Sequence, residues 1–194
     1  MKALQRAARS IAVVAVLFAG MAAAAVAADL SRPVILVASE RLAGSPFEQT
    51  VILATPLPQG GHMGIVVNRP TGVKLASVLP SQDSARNVVD QVYAGGPMLP
   101  GVVFAVTRKP PPEGSKAVPL MPGLVAVMDG ESFDRILETA PNEARYFVGL
   151  MVWAPGELDD EIGQGAWEVR VPSVQSVLPA RSDDLWKMLE GPEA

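Results

Sequence analysis

Cysteine is absent from all 194 residues, so the protein forms no disulfide and carries no cysteine-linked lipid. Whatever holds the fold together must be its core. Histidine occurs once, at His62, which leaves one candidate for a general base near neutral pH. No basic run appears after Arg9, and Arg108-Lys109 is only a pair. Binding to nucleic-acid phosphate depends on clustered Lys and Arg that release counterions, and the formal charge here is −4, so nucleic acid is not an expected partner. Several catalytic signatures are missing as well. Gly130-Glu131-Ser132-Phe133-Asp134 lacks the second glycine of a nucleophile elbow, and there is no Walker lysine. The glycines of Gly60-Gly61-His62-Met63-Gly64 precede a strand, whereas a dinucleotide fingerprint follows one.

What is present begins with a leader. Lys2, Arg6 and Arg9 stand ahead of an uncharged apolar stretch from Ile11 to Ala28, the layout of a signal peptide over residues 1–28. Ala25 and Ala27 form a small-residue site before Ala28, and Val26 with Ala28 offers a second before Asp29. Cleavage at either bond leaves a domain over residues 29–194 with a net charge of −7, no membrane span, and a periplasmic or secreted location. An uncleaved segment would instead anchor the chain, and a true start at Met21 would leave it in the cytoplasm.

From Pro33 onward, apolar runs punctuated by Gly and Pro predict short strands with a few helices, an α+β single domain. Strands are expected at Val34 to Ala38, Thr50 to Ala54, Met63 to Val67, Gln91 to Ala94, Val102 to Thr107, Val118 to Leu120, Leu124 to Met128 and Trp167 to Val171. The third should end at Asn68-Arg69-Pro70, because proline biases Arg69 out of the α region. Tyr146 to Trp153 is apolar on both alternating faces apart from Gly149, as befits a central strand covered on each side. One helical turn is expected around Leu75, Val78 and Leu79, and Ser81 to Asp90 reads as polar surface. Lys109 to Gly114, with three consecutive prolines, reads as a stiff extended connector. Amphipathic spacing predicts helices over Glu131 to Thr139 and Gly156 to Gln164, the latter stopped by Gly165. A last helix should start from Ser182 as N-cap, with Asp183 and Asp184 in its first turn and Leu185, Trp186 and Leu189 facing inward.

Three ordered blocks carry a family likeness: Gly64-Ile65-Val66-Val67-Asn68-Arg69-Pro70-Thr71, Gly95-Gly96-Pro97, and Phe147 to Trp167. Together they resemble the YqgE/AlgH family, from Leu30 through Phe47 and Thr50-Val51 to Leu185-Trp186. The resemblance implies a compact α+β fold with a small closed barrel-like mixed β-sheet and peripheral helices, and it implies no enzymatic activity. Where the family usually reads Gly-Tyr-Ala-Gly-Trp, this chain has Gly149-Leu150-Met151-Val152-Trp153; Gln-Leu-Glu is replaced by Glu157-Leu158-Asp159. If the family residues shape a pocket, Leu150 and Val152 fill it. Family members are also typically cytoplasmic, in contrast to the leader seen here.

Candidate site residues each have a plainer alternative. Glu157, Asp160 and Glu161 share one helical face and could share a metal, yet acids in a first turn offset the helix dipole by about 0.3–1 kcal/mol each, and no His or Cys is nearby in sequence to complete a transition-metal site. No metal or cofactor is therefore expected. His62 reads as a solvent-facing turn residue rather than a base, so no catalytic residue is assigned. Asn68 and Arg69, at the end of a buried strand, are candidate binding residues, as are Trp153 and Glu157. The structural alternative has Asn68 bonding the Pro70-Thr71-Gly72 turn, Arg69 pairing with a carboxylate, and Trp153 and Trp167 packing on Leu158 or Ile162. Three functional classes follow: a non-catalytic accessory protein with an envelope protein partner, an exported hydrolase-like enzyme using His62 or the Glu157–Glu161 face, and a transcriptional regulator as the AlgH name implies.

Overall fold

The computed structural model describes residues 29–108, 114–179, 182 and 184–190. The leader, the triproline tract and Asp183 lie outside the described residues. Within the described residues ten strands run in chain order: β1 (Val34–Ala38), β2 (Val51–Pro56), β3 (His62–Val66), β4 (Pro70–Lys74), β5 (Gln91–Ala94), β6 (Met98–Thr107), β7 (Ala117–Met121), β8 (Leu124–Val127), β9 (Ala144–Trp153) and β10 (Trp167–Arg170). Among the described residues five α-helices accompany them: α1 (Leu75–Val78), α2 (Gly130–Thr139), α3 (Glu157–Gly163), α4 (Val174–Val177) and α5 (Leu185–Leu189). The class is α+β, as expected. Among the described residues no helix is long and apolar enough to cross a membrane.

The sheet runs β10-β1-β2-β3-β9-β6-β8-β7, with β4 paired to β5 and β5 to β9. Among the described residues every pairing is antiparallel except β5 with β9. It curls: the Thr55 hydroxyl on β2 donates to the Leu120 carbonyl on the distant β7 at 2.8 Å. The result is a half-barrel rather than the closed one that the resemblance implied, since β10 and β7 end the order without pairing to each other.

Curling explains why β1 and β2 are apolar at nearly every position. One set of alternating residues, including Ile35, Val37, Leu53, Ile65, Phe104 and Phe147, fills the concave face, closed over by Val177 and Leu185. The opposite set, Leu36, Ile52, Ala54 and Val66, packs with Trp153, Leu158 and Trp167 outside. A third cluster joins α1 and α2 to the sheet through Leu75, Phe133, Leu137 and Tyr146. Burying each such side chain contributes about 1.5–3 kcal/mol, which lets the fold dispense with disulfides.

Several elements depart from the expected boundaries. The chain does not leave the sheet at Pro70 but resumes there as β4, where proline at the first strand position costs no ladder donor. The segment expected to be polar surface contains a 3-10 turn at Asp83–Asn87, and Ala85 and Val88 are buried beneath it. Strand β6 starts four residues early, at Met98. α4 was not anticipated; it is fixed by a capping box in which Ser173 and Ser176 bond reciprocally. α5 begins at Leu185 behind Asp184, two residues later than Ser182 as N-cap predicted; Ser182 contributes its carbonyl to the Leu185 N–H instead. β9 is central, between β3 and β6, but cover fails at Val152, which is 48% exposed.

The Gly95-Gly96-Pro97 break marks a crossing. Strand β5 lies along one edge of β9, and the chain must pass over β9 to become β6 on its other edge. It passes at Gly149, whose φ is +69°; a Cβ there would sit 2.2 Å from the Gly96 carbonyl oxygen. A Cβ on Gly95 would lie 2.3 Å from the Gly149 oxygen, and one on Gly96 2.3 Å from the Leu150 carbonyl carbon. Backbone meets backbone, and only glycine fits.

Candidate functional site

Asn68 and Arg69 leave β3 facing the loop before β2. The Asn68 Oδ1 accepts the Val51 N–H at 2.9 Å, and its Nδ2 donates to the Gln49 carbonyl at 2.9 Å. Arg69 Nη2 donates to the Glu48 carbonyl at 2.9 Å and to the Thr50 hydroxyl at 2.8 Å. The partners differ from those anticipated: Asn68 does not bond the Pro70-Thr71-Gly72 turn, and Arg69 meets a carbonyl and a hydroxyl rather than a carboxylate. Together the two side chains clamp residues 48–51, where Gln49 holds φ at +55°.

Trp153, Glu157, Glu161 and Trp167 converge around α3. Gly64 creates the space, since a Cβ there would lie 2.5 Å from the Trp153 ring. Both indoles donate to one oxygen: Trp153 Nε1 reaches Glu161 Oε2 at 3.0 Å and Trp167 Nε1 reaches it at 2.6 Å. Leu158 is buried below them and Phe47 meets Trp167 edge-on at 6.3 Å. Glu157 Oε2 accepts the Ala154 N–H at 2.8 Å, closing the turn that leads into α3. The helix ends in paired bonds from Gly165 N–H to the Ile162 carbonyl and Ala166 N–H to the Glu161 carbonyl, with Gly165 at φ +76°. Glu157 and Glu161 thus serve different donors while Asp160 is exposed. Among the described residues no three His, Cys, Asp or Glu side chains are grouped to hold a metal ion.

His62 is not a solvent-facing turn residue. It opens β3 opposite Pro56 and Trp153 and is 7% exposed. Its Nε2 lies 3.0 Å from the Leu30 carbonyl, which can only accept, so Nε2 carries the proton; Nδ1 is buried without a partner among the described residues. The turn itself is made by Gly60 and Gly61, at φ +92° and +72°.

Two further features were not anticipated. Arg145, a charge at the start of an otherwise apolar strand, is 12% exposed at its side chain. Its Nε lies 3.4 Å from Asp90 Oδ2, its Nη2 donates to the Pro179 carbonyl at 2.8 Å, and its Cζ stands 4.5 Å over the Tyr93 ring. It borders a cleft of about 390 Å³ with Asp90, Arg108, Asn142, Glu143 and Leu178. A charged residue interrupting the Ala144–Trp153 apolar run was the available signal. The second feature is an apolar rim: Met98 and Leu99 are 51% and 54% exposed, Leu99 holds φ at +52°, and Met98 pairs with Leu150, two residues from Val152. Leu150 is buried, whereas Val152 stands open.

Comparison with known proteins agrees with this architecture. A UPF0301 protein of Streptomyces coelicolor is 31% identical over 160 residues, covering 79% of this chain and 81% of that protein. One from Chlorobaculum parvum is 28% identical over 156 residues, covering 78% and 81%. The solution structure of the AlgH protein from Pseudomonas aeruginosa superimposes with a TM-score of 0.68 at 23% identity, over 82% of this chain and 86% of that one. The crystal structure of DIP2367 from Corynebacterium diphtheriae gives 0.66 at 25% identity, over 84% and 87%. The family described as "DUF179: AlgH-like" matches residues 35–190, and the chain belongs to it.

Proposed function

We propose that this protein is a non-catalytic accessory protein of the cell envelope, exported by its N-terminal leader and acting through a protein partner. The observation that carries the proposal is the engagement of its chemistry-bearing side chains. His62 is bonded to Leu30, Glu157 to Ala154, and Glu161 to two indoles, so each stabilises the scaffold. The apolar rim of Met98, Leu99 and Val152 supports contact with a partner, because exposed apolar side chains beside a strained backbone are a feature of interaction surfaces. Export rests on the charge and hydropathy pattern of residues 1–28.

A hydrolase would need His62 to reach a substrate, and burial at the head of β3 opposes that. A regulator would need a basic recognition surface, which a net charge of −7 after cleavage opposes. Fractionation of native cells with N-terminal sequencing tests the proposal. The expected product starts at Ala28 or Asp29 and is found in the envelope fraction, where affinity capture returns a reproducible partner. A soluble cytosolic chain that retains Met1 refutes export. Turnover of any substrate in a hydrolase panel that His62→Ala abolishes refutes the non-catalytic assignment.

A further inference from the structure

The cleft at the entry to β9 has polar walls that are already set. Asn142 is held at both ends of its amide: Oδ1 accepts the Val89 N–H at 2.8 Å and Nδ2 donates to the Asn87 carbonyl at 3.0 Å. Arg145 is held by Asp90, Pro179 and the Tyr93 ring, and its Nη1 is buried with no hydrogen-bond partner among the described residues. The volume of about 390 Å³ falls in the range of small-molecule sites.

Charge decides what the cleft can hold. Asp90 compensates Arg145, and Glu143 is not free either. Arg108, exposed at the mouth, has no ion pair or hydrogen bond among the described residues. Among the described residues the Arg108 guanidinium therefore has no partner, and behind it the Nη1 of Arg145 lacks an acceptor. A single negative charge fits this balance. A dianion would add repulsion from Asp90 and Glu143 in the same walls.

We propose that this cleft binds a small monocarboxylate. The Arg108 fork takes the carboxylate in the planar geometry that guanidinium favours. Arg145 adds positive potential from beneath and, after a small side-chain shift, offers its Nη1–H. A short aliphatic body lies against Leu178 and Ala144. The site is separate from the apolar rim and does not depend on export.

The test is an NMR titration of the purified, isotope-labelled chain with sodium propionate, with sodium phosphate as a parallel arm. Propionate should produce saturable shifts at Arg108, Asn142, Ala144 and Arg145. Arg108→Gln should weaken binding about tenfold or more, and Arg108→Lys should retain part of it. Neither change should move the unfolding midpoint, since Arg108 is exposed and has no bond among the described residues. Three results would overturn the assignment: no saturable shift, identical titration of wild type and Arg108→Gln, or phosphate binding tighter than propionate.

Discussion

Three glycine-to-alanine substitutions separate what the β5–β6 crossing costs from what a left-handed backbone costs. Gly72 has φ +75° and open space around its missing Cβ, so Gly72→Ala carries conformational strain alone. Gly95 carries no positive φ, but its Cβ would meet the Gly149 oxygen at 2.3 Å, so Gly95→Ala carries the contact alone. Gly149 combines both, with φ +69° and 2.2 Å to the Gly96 oxygen. The strain is worth about 1 kcal/mol for alanine in the left-handed region. Relieving the contact requires moving a backbone carbonyl by roughly 1 Å, and shifts of that kind cost about 1–3 kcal/mol.

The expected destabilisation is therefore about 1 kcal/mol for Gly72→Ala, about 2 kcal/mol for Gly95→Ala and about 3 kcal/mol or more for Gly149→Ala. At this chain length each kcal/mol lowers the thermal midpoint by roughly 2–4 °C. Urea unfolding followed by tryptophan fluorescence measures all three. If Gly149→Ala falls within about 0.5 kcal/mol of Gly72→Ala, the crossing is not sterically tight and this account of the Gly-Gly-Pro break is wrong.

Glu161→Ala should remove both indole hydrogen bonds and cost about 2–3 kcal/mol, discounted for partial exposure, with a red shift of tryptophan emission; Glu161→Gln should cost about half as much. An unchanged emission maximum would count against the shared acceptor. Asn68→Ala should cost about 2 kcal/mol, because the buried Val51 N–H loses its acceptor. A side chain kept free for ligand would be removed without loss of stability. Asp129 caps α2 by accepting the Ser132 N–H at 3.0 Å, and that bond holds its carboxyl below the ordinary value. Asp129→Ala should cost about 1 kcal/mol at neutral pH. Because the folded pKa is the lower one, the contribution is complete above the ordinary aspartate value of about 3.9 and disappears as pH falls through the folded value. In acid titration the two proteins should converge once the folded carboxyl is protonated, and a gap that stays constant from neutral pH into acid contradicts the cap.

The strands were legible because burial on both faces writes continuous apolar runs, as in Val34–Ala38 and β9. The Gly165 stop and the α2 periodicity were legible because they are local. β4 was not, since it is exposed along most of its length and carries Pro70 and Gly72, two residues that read as turn. Sequence spacing could place Glu157, Asp160 and Glu161 on one face but could not reveal that Trp153 and Trp167 would claim the third of them. Long-range partners also decided the fate of His62: Leu30 lies 32 positions away and no periodicity connects the two. Asn68 and Arg69 stood out as polar residues at a strand end, but the loop they clamp, residues 48–51, could be identified only once β2 and β3 were in register.

The residues that carry the family likeness therefore have a common physical role. Gly64 admits the Trp153 ring, Asn68 and Arg69 lock the preceding loop, Gly95, Gly96 and Gly149 permit the crossing, and Trp167 completes the acid-centred clasp on α3. Each is a place where a substitution would meet backbone or a packed side chain, or would leave a hydrogen-bonding group without its partner, so each is demanded by the half-barrel whatever the protein does. A likeness written in such residues transmits architecture and leaves chemistry unspecified. Function must then sit on surfaces the scaffold does not need. The apolar rim at Met98, Leu99 and Val152 and the exposed Arg108 at the mouth of the cleft meet that condition. Substitutions there should alter binding at constant stability, the reverse of what Gly149, Glu161 and Asn68 should show.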